Sequence, residues 1–358
     1  MKALAVTPGA AKSLHVRSDV PDPDAAGAQA LVRVLEAGVC GTDFEINDGL
    51  YGRAPVGFDY LVLGHENLGV VEAAPAGSGL GSGDLVVSTV RRPCPERCAP
   101  CAADQNDMCL TGHYLERGIG GLHGFMSERY AEDPRYLIRV PPSLRSVAIL
   151  LEPLSIVEKG FEQAFRMQER TAWSPRIAVV LGAGTVGVLA AACLRLRGIE
   201  TFVVGREHSG TARDAFIAEL GIHYVSTNEI ALEALSTRVG RADIVFEATG
   251  AAAVVMPAIQ LLGPDGVAIL ASVTGGEQRF DVDVATWNRQ IVLGNQLVFG
   301  TVNAAKRHFE QGVRDLEALE ARHPGWLGRI ITRRLPFTDL DGLLKRNPND
   351  IKTVLEFS

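Results

Sequence analysis

No stretch of the 358-residue chain stays apolar over the roughly 18 residues that a bilayer-spanning helix requires, so no membrane span is expected. The first residues, MKALAVTPGAAKSLHV, lack a basic start followed by a long apolar core. Without that secretory pattern the expected location is cytoplasmic. Excess basic charge is missing too. The formal net charge is −7 and no Lys/Arg block stands out, which argues against a nucleic-acid surface. Low-complexity sequence is confined to 21–30, PDPDAAGAQA, which reads as a loop between strands. No repeat recurs at solenoid spacing. Cysteine is scarce, six in all, and four of them crowd into residues 94–109.

What is present points to two domains, the natural expectation for a chain of this length. Up to about residue 90, short runs such as ALVRVLEAG and GVVEAA alternate or run apolar between Gly and Pro clusters, the pattern of strands. Residues 91–125 are loop-rich. Over 151–167, Leu154, Val157, Phe161 and Phe165 recur at helical spacing and predict an amphipathic helix. From 177 onward the chain changes regime, with strands 177–184, 201–205 and 242–250 alternating with helices 185–198 and 212–221. A further helix is expected over 253–266 and a strand over 267–273. Such alternation means right-handed βαβ units and a parallel sheet covered on both faces. After about 300, a helix and a closing strand over 352–358 return to the first domain. The expectation is an α/β chain with a discontinuous, β-rich catalytic domain (1–160 and 300–358) around a doubly wound dinucleotide-binding domain (161–299).

Gly182-Ala183-Gly184-Thr185-Val186-Gly187 is a G-x-G-x-x-G with an apolar strand running in and an Ala/Leu helix running out. Gly182 permits the tight turn, Gly184 clears the approach of a pyrophosphate, and Gly187 lets helix pack on strand. The phosphate then sits on the helix N-terminus, against Thr185 and Val186. At the end of the second strand, Gly205 and Arg206 stand where an NAD enzyme usually carries an acid. The planar fork of Arg206 suits a 2′-phosphate, which favours NADP, while Glu207 leaves room for NAD. Thr249 and Val273, closing the later strands, complete the expected cofactor contacts.

Cys40, His65 and Glu152 supply a thiolate, an imidazole and a carboxylate, a donor set for a three-ligand zinc site with one open position. Taken singly, Cys40 reads equally as a small buried apolar residue and Glu152 as a helix-start carboxylate. Cys94, Cys98, Cys101 and Cys109 suggest a closed structural zinc site rather than disulfides. Cys193, on the apolar face of the helix after the glycine loop, is core. His123 and His308 read as structural histidines.

The motifs together resemble the zinc-containing medium-chain alcohol dehydrogenases, over nearly the full length. The Cys40-Gly41-Thr42-Asp43 box, GHExxG at 64–69, GDxV at 83–86 and the glycine loop occur in that family's order. Within it, GLHGFM at 121–126, LEPLS at 151–155, FGTVN at 299–303 and KRHF at 306–309 look most like the archaeal-type glucose dehydrogenases.

The resemblance implies a GroES-like catalytic domain beside a Rossmann domain, and a homo-oligomer, dimer or tetramer. It implies Cys40, His65 and Glu152 as catalytic zinc ligands, with Glu66 as an exchangeable or outer carboxylate. Thr42 would carry the proton away from substrate, although a turn or capping hydroxyl is the alternative role. Relatives continue that relay with a histidine where this chain has Glu45. Glu116 and Asn303 match residues that contact sugar, Asn303 also lying near the nicotinamide, with Thr89 and Glu152 as further substrate contacts. The family's cysteine lobe is spaced C-x2-C-x2-C-x7-C, and here Cys94 sits one residue out of register. The implied reaction is oxidation of an aldose, D-glucose foremost, at C1 to the aldonolactone with hydride passing to NADP or NAD. Alternatives are a polyol or threonine dehydrogenase of the same fold and a non-catalytic cofactor-binding protein, which would be expected to break the metal triad.

Overall fold

A computed structural model describes residues 1–24, 28–275, 278–345 and 347–357. Residues 25–27 of the loop expected over 21–30, and the last residue of the expected closing strand, fall outside that set. The chain divides into two compact units: Met1–Ser155 with Asn303–Glu320 and Pro324–Ser358, and Ile156–Val302 with Ala321–His323. The first division falls inside a single helix, Leu151–Gln168, which matches the span its periodicity predicts. Among the described residues no helix is long and apolar enough to cross a membrane.

The first unit is built on a seven-stranded sheet. Its spine is the ten-residue strand Ala30–Val39, whose buried residues Ala30, Val32, Val34 and Ala37 join a core with Val71, Val86 and Leu355. Glu66–Ala73 pairs antiparallel on one side of this spine and Lys352–Glu356 on the other. The C-terminal strand therefore sits two positions from the GHExxG strand, although nearly the whole chain separates them. Leu85–Ser88, Leu137–Val140, Ile331–Pro336 and Arg129–Glu132 complete the sheet. The segment read as a loop-rich excursion also contains a small three-stranded sheet of Arg91–Arg92, Leu115–Arg117 and Gly121–Leu122.

The second unit is a six-stranded parallel sheet in the order His223–Ser226, Glu200–Gly205, Ile177–Leu181, Ala242–Glu247, Leu262–Leu270, Leu297–Gly300. Numbered along the chain this is 3-2-1-4-5-6, the doubly wound dinucleotide-binding order. The first helix, Thr185–Leu196, is stopped by Gly198 at φ 79°.

The later part of this unit corrects the expectation. The helix over 253–266 ends at Gln260, and Leu262–Leu270 is strand, running through Gly263-Pro264-Asp265-Gly266. A register shift opposite Ala242 and Ile244 absorbs that turn-rich run, and Asp265 takes φ 55° there. The helix Val284–Leu293 and the sixth strand, Leu297–Gly300, had no expectation at all.

Candidate active site

Cys40 caps the short helix Gly41–Asn47, which leaves the spine strand immediately after Val39. The Asp43 carboxylate accepts the Cys40 backbone N–H at 2.9 Å, closing the first turn and fixing the thiol at its mouth. His65 arrives at the entry to Glu66–Ala73. Its Nε2 lies 3.1 Å from Cys40 Sγ, while its Nδ1 faces the other Asp43 oxygen at 3.7 Å. One carboxylate thus hydrogen-bonds the thiol-bearing turn and lies beside the imidazole as a charged neighbour. Burial alone would lower the His65 pKa, but Cys40 and Asp43 beside it hold it well above its ordinary value.

Glu66 follows on the same strand. Cys40, His65 and Glu66 offer ligand atoms that all lie within 4.8 Å of one another. Soft sulfur, imidazole nitrogen and carboxylate oxygen at that spacing fit a zinc ion. Glu152, second residue of the helix Leu151–Gln168, is buried in the same unit but stands outside that group of three. Burial pushes its carboxyl up to about 7; His65 pulls it back and Glu66 adds to the rise.

Two features of this centre carried no signal that was read from the sequence. Lys352, on the C-terminal strand, ion-pairs with Glu66 and donates to the Val39 carbonyl at 3.1 Å. Gly38 makes room for the pair, because a Cβ there would run into the Glu66 carboxylate. Tyr51 donates its hydroxyl to Glu45 at 2.7 Å, and Thr42, on the helix Cys40 caps, works against the rise in pKa that burial imposes on that tyrosine. Asp43 was visible only as the last letter of the Cys-Gly-Thr-Asp box.

Elsewhere in the first unit, Glu116 and Asn303 are brought together. Asn303 Nδ2 donates to Glu116 Oε1 at 3.1 Å across 187 residues of sequence. Asn303 holds φ 59°, a left-handed conformation that asparagine tolerates, and its Oδ1 caps the Ala304 N–H at 2.8 Å. Thr89 is buried and receives a hydrogen bond from Arg92 at 3.2 Å.

Cys94, Cys98, Cys101 and Cys109 also converge, with ligand atoms all within 4.8 Å. The additional residue between Cys94 and Cys98 is absorbed at Arg97, which turns left-handed at φ 49° and donates its N–H to the Cys94 carbonyl at 3.0 Å. The backbone N–H of Leu110, then that of Cys101, lowers the Cys98 pKa. Burial would raise Cys109, yet Thr111 and the N–H of Gly112 bring it down to about 6, whereas burial pushes Cys101 up to about 12. A sulfur cage with two thiols biased toward thiolate fits a closed zinc site.

In the second unit, Gly182 takes φ 109° and a Cβ on Gly187 would collide with the Gly182 carbonyl, so both positions require glycine. Gly184, the N-cap of Thr185–Leu196, has nothing near its Cβ direction, and Val186 follows Thr185 in the first turn. Arg206 is exposed just past the second strand. Glu207, the acid that left NAD open, is paired with Arg213 at 3.1 Å, and Arg213 also donates to the Ala183 carbonyl at 2.7 Å. Thr249 donates to Glu247 at 2.5 Å, and Val273 is exposed. Cys193 and His308 are buried, and His123 is partly so, stacked on Tyr60.

The description "Alcohol dehydrogenase GroES-like domain" matches residues 26–142, and "Glucose dehydrogenase C-terminus" matches residues 145–357. The chain is 47% identical to the glucose 1-dehydrogenase of Methanocella arvoryzae over 359 aligned residues, covering 99% of each. It is 41% identical to that of Thermoproteus tenax, again over 99% of each. Among solved structures, Haloferax mediterranei glucose dehydrogenase in complex with NADP, Zn and gluconolactone superposes with a TM-score of 0.92. It is 36% identical, covering 100% of this chain and 99% of that one.

Proposed function

The chain belongs to the glucose dehydrogenase family of zinc-type medium-chain alcohol dehydrogenases, and from that premise we propose that it oxidises an aldose, D-glucose foremost, at C1 to the aldonolactone. It is a nicotinamide-dependent dehydrogenase, and hydride leaves the substrate carbon for NADP in preference to NAD. Within one unit, a thiolate–imidazole–carboxylate centre at Cys40, His65 and Glu66 and a hydroxyl-binding pair at Glu116 and Asn303 are each assembled from distant sequence. The presence in one unit of a metal donor set and of sugar-suited polar groups is the observation that supports the reading most.

Cys40, His65 and Glu152, with Glu66 as the exchangeable carboxylate, would hold a zinc ion, which would supply Lewis acidity to lower the pKa of the reacting hydroxyl. Thr42 relays the proton of that hydroxyl, giving up its own as it takes it, and Glu45, which stands in place of a histidine, accepts a hydrogen bond from Tyr51 and is the proton's destination in this reading. Glu116, Asn303 and Thr89 hold the remaining hydroxyls; a site built to pair hydroxyls rejects analogues that lack them. The glycine loop with Thr185 and Val186 receives the pyrophosphate, Thr249 and Val273 hold the nicotinamide half, and Arg206 takes the 2′-phosphate. Cys94, Cys98, Cys101 and Cys109 hold a second, structural zinc. Residues 1–160 and 300–358 form the catalytic domain in this reading.

Initial rates across aldoses, polyols and threonine, each with NADP and with NAD, test the assignment. Turnover led by glucose with NADP supports it; turnover confined to polyols or threonine replaces the substrate class while leaving the family intact.

A further inference from the structure

We infer that two adjacent arginines, Arg91 and Arg92, are positioning residues for the sugar: Arg91 fixes Glu116 and Asn303, and Arg92 fixes Thr89. The inference rests on the proposed reading of those three residues as substrate contacts.

Successive strand residues point to opposite faces, so a pair on the short strand Arg91–Arg92 can serve two neighbours at once. Arg91 stands directly across the ladder from Glu116. Its Nε and Nη2 both reach Glu116 Oε1 at 3.0 Å, its Nη1 donates to the Asp107 carbonyl at 3.2 Å, and its plane lies 3.7 Å above the Tyr114 ring. Fork and stack together prevent the guanidinium from turning away. With Asn303 Nδ2, three donors converge on Oε1 alone. Oε2 keeps its acceptor sites, so the hydroxyl that meets Glu116 must donate. Asn303 turns its carbonyl oxygen to the Ala304 N–H and one amide hydrogen to Glu116, which leaves its second amide hydrogen as a donor toward a substrate.

Arg92 works on the other face. Its Nη1 donates to both the Thr89 carbonyl at 3.0 Å and the Thr89 hydroxyl at 3.2 Å. Its Nη2 donates to Ser88 Oγ at 3.2 Å and pairs with the buried Glu132, and Tyr136 stacks beneath it at 4.1 Å. The Thr89 hydroxyl, which accepts from that cation, keeps its own proton to donate. Together the two arginines hold three polar groups in place: a carboxylate acceptor at Glu116, the amide that donates to it at Asn303, and the Thr89 hydroxyl.

The test compares Arg91→Lys, Arg91→Met, Arg92→Lys, Glu116→Gln and the double variant Arg91→Met/Glu116→Gln, on glucose and on a panel of its deoxy analogues. Wild-type protein is measured first; absence of any aldose turnover there defeats the functional reading itself, and the inference with it. Given turnover, Arg91→Met and Arg91→Lys are expected to raise the KM for glucose about 10- to 100-fold, the loss of a charged hydrogen bond, with kcat and the KM for NADP little changed. The penalty for the deoxy analogue most rejected by wild type shrinks in the same variants, and Arg91→Met adds little once Glu116→Gln is present. Arg92→Lys raises the glucose KM by its own, separate factor. A purely structural role is the contrary result: Tm falls while the glucose KM and the deoxy pattern stay within about twofold, or the Arg91 and Glu116 effects multiply. If Arg91→Met does not fold, Arg91→Lys decides by the same readout.

Discussion

Lys352 meets Glu66 where both side chains are only 2% exposed, beside the centre formed by Cys40 and His65. The pair exists because the C-terminal strand docks on Ala30–Val39 and because Gly38 leaves space above it. Removing one member of a buried ion pair leaves the other charge uncompensated, which costs about 3–5 kcal/mol. Lys352→Met is therefore expected to lose stability on that scale in chemical denaturation, and Lys352→Met/Glu66→Gln to recover part of it. Equal losses in the single and double variants would mean that the pair itself is not the origin.

The cysteine lobe predicts a metal count. Purified protein is expected to carry two zinc ions per chain by elemental analysis, and Cys94→Ser to carry one. That variant should keep glucose turnover at low temperature but lose it earlier on heating, because a structural site contributes folding energy and not chemistry. An unchanged count would place Cys94 outside the site despite the turn at Arg97.

Cofactor choice should be separable at Arg206. Loss of a charge-assisted contact to phosphate is worth about 1.5–3 kcal/mol, so Arg206→Ala is expected to raise the KM for NADP roughly 10- to 100-fold and to leave that for NAD nearly unchanged. Steady-state kinetics with both cofactors check this. A parallel rise in both constants would assign the 2′-phosphate to another cation, for which Arg213 is the nearest choice.

His123 links stability to pH. Its Nδ1 accepts the Val62 backbone N–H at 3.2 Å, which requires the neutral ring, and it stacks on Tyr60 with Phe58 edge-on. Burial lowers its pKa to about 4, with the charges of Arg117 and Arg17 adding to the fall. The unfolded chain binds the proton nearer 6.5. Between these values the unfolded state holds more protons, so stability is full above about 6.5 and declines as pH falls toward 4. Relative to wild type, His123→Gln should flatten Tm against pH across that window. An identical slope in the variant would assign the decline to other groups.

What the sequence made legible follows from the range of the interactions. The glycine loop, its strand and its helix are contiguous, and local geometry alone demands Gly182 and Gly187. The Leu151–Gln168 helix was readable from apolar spacing. Gly263-Pro264-Asp265-Gly266 was misread because turn chemistry normally ends an element, whereas here sheet pairing with Ala242–Glu247 carries the strand through it. Glu116 with Asn303, and Glu66 with Lys352, were beyond local reading because long-range strand order brings them together. Candidates at Cys40, His65, Glu66, Thr89, Glu116 and Asn303 came from motif resemblance; the partners Asp43 of Cys40, Lys352 of Glu66, Arg91 of Glu116 and Arg92 of Thr89 came only with the fold.

The central claim, a zinc-dependent aldose oxidation, is tested most directly by the rate of NADPH formation at saturating glucose, before and after removal of metal with a chelator and again after zinc is restored. The account predicts turnover that disappears on chelation and returns with zinc, and that Cys40→Ser and His65→Ala lack throughout. Glucose oxidation that persists at full rate in metal-free protein, with the fold intact, would contradict it.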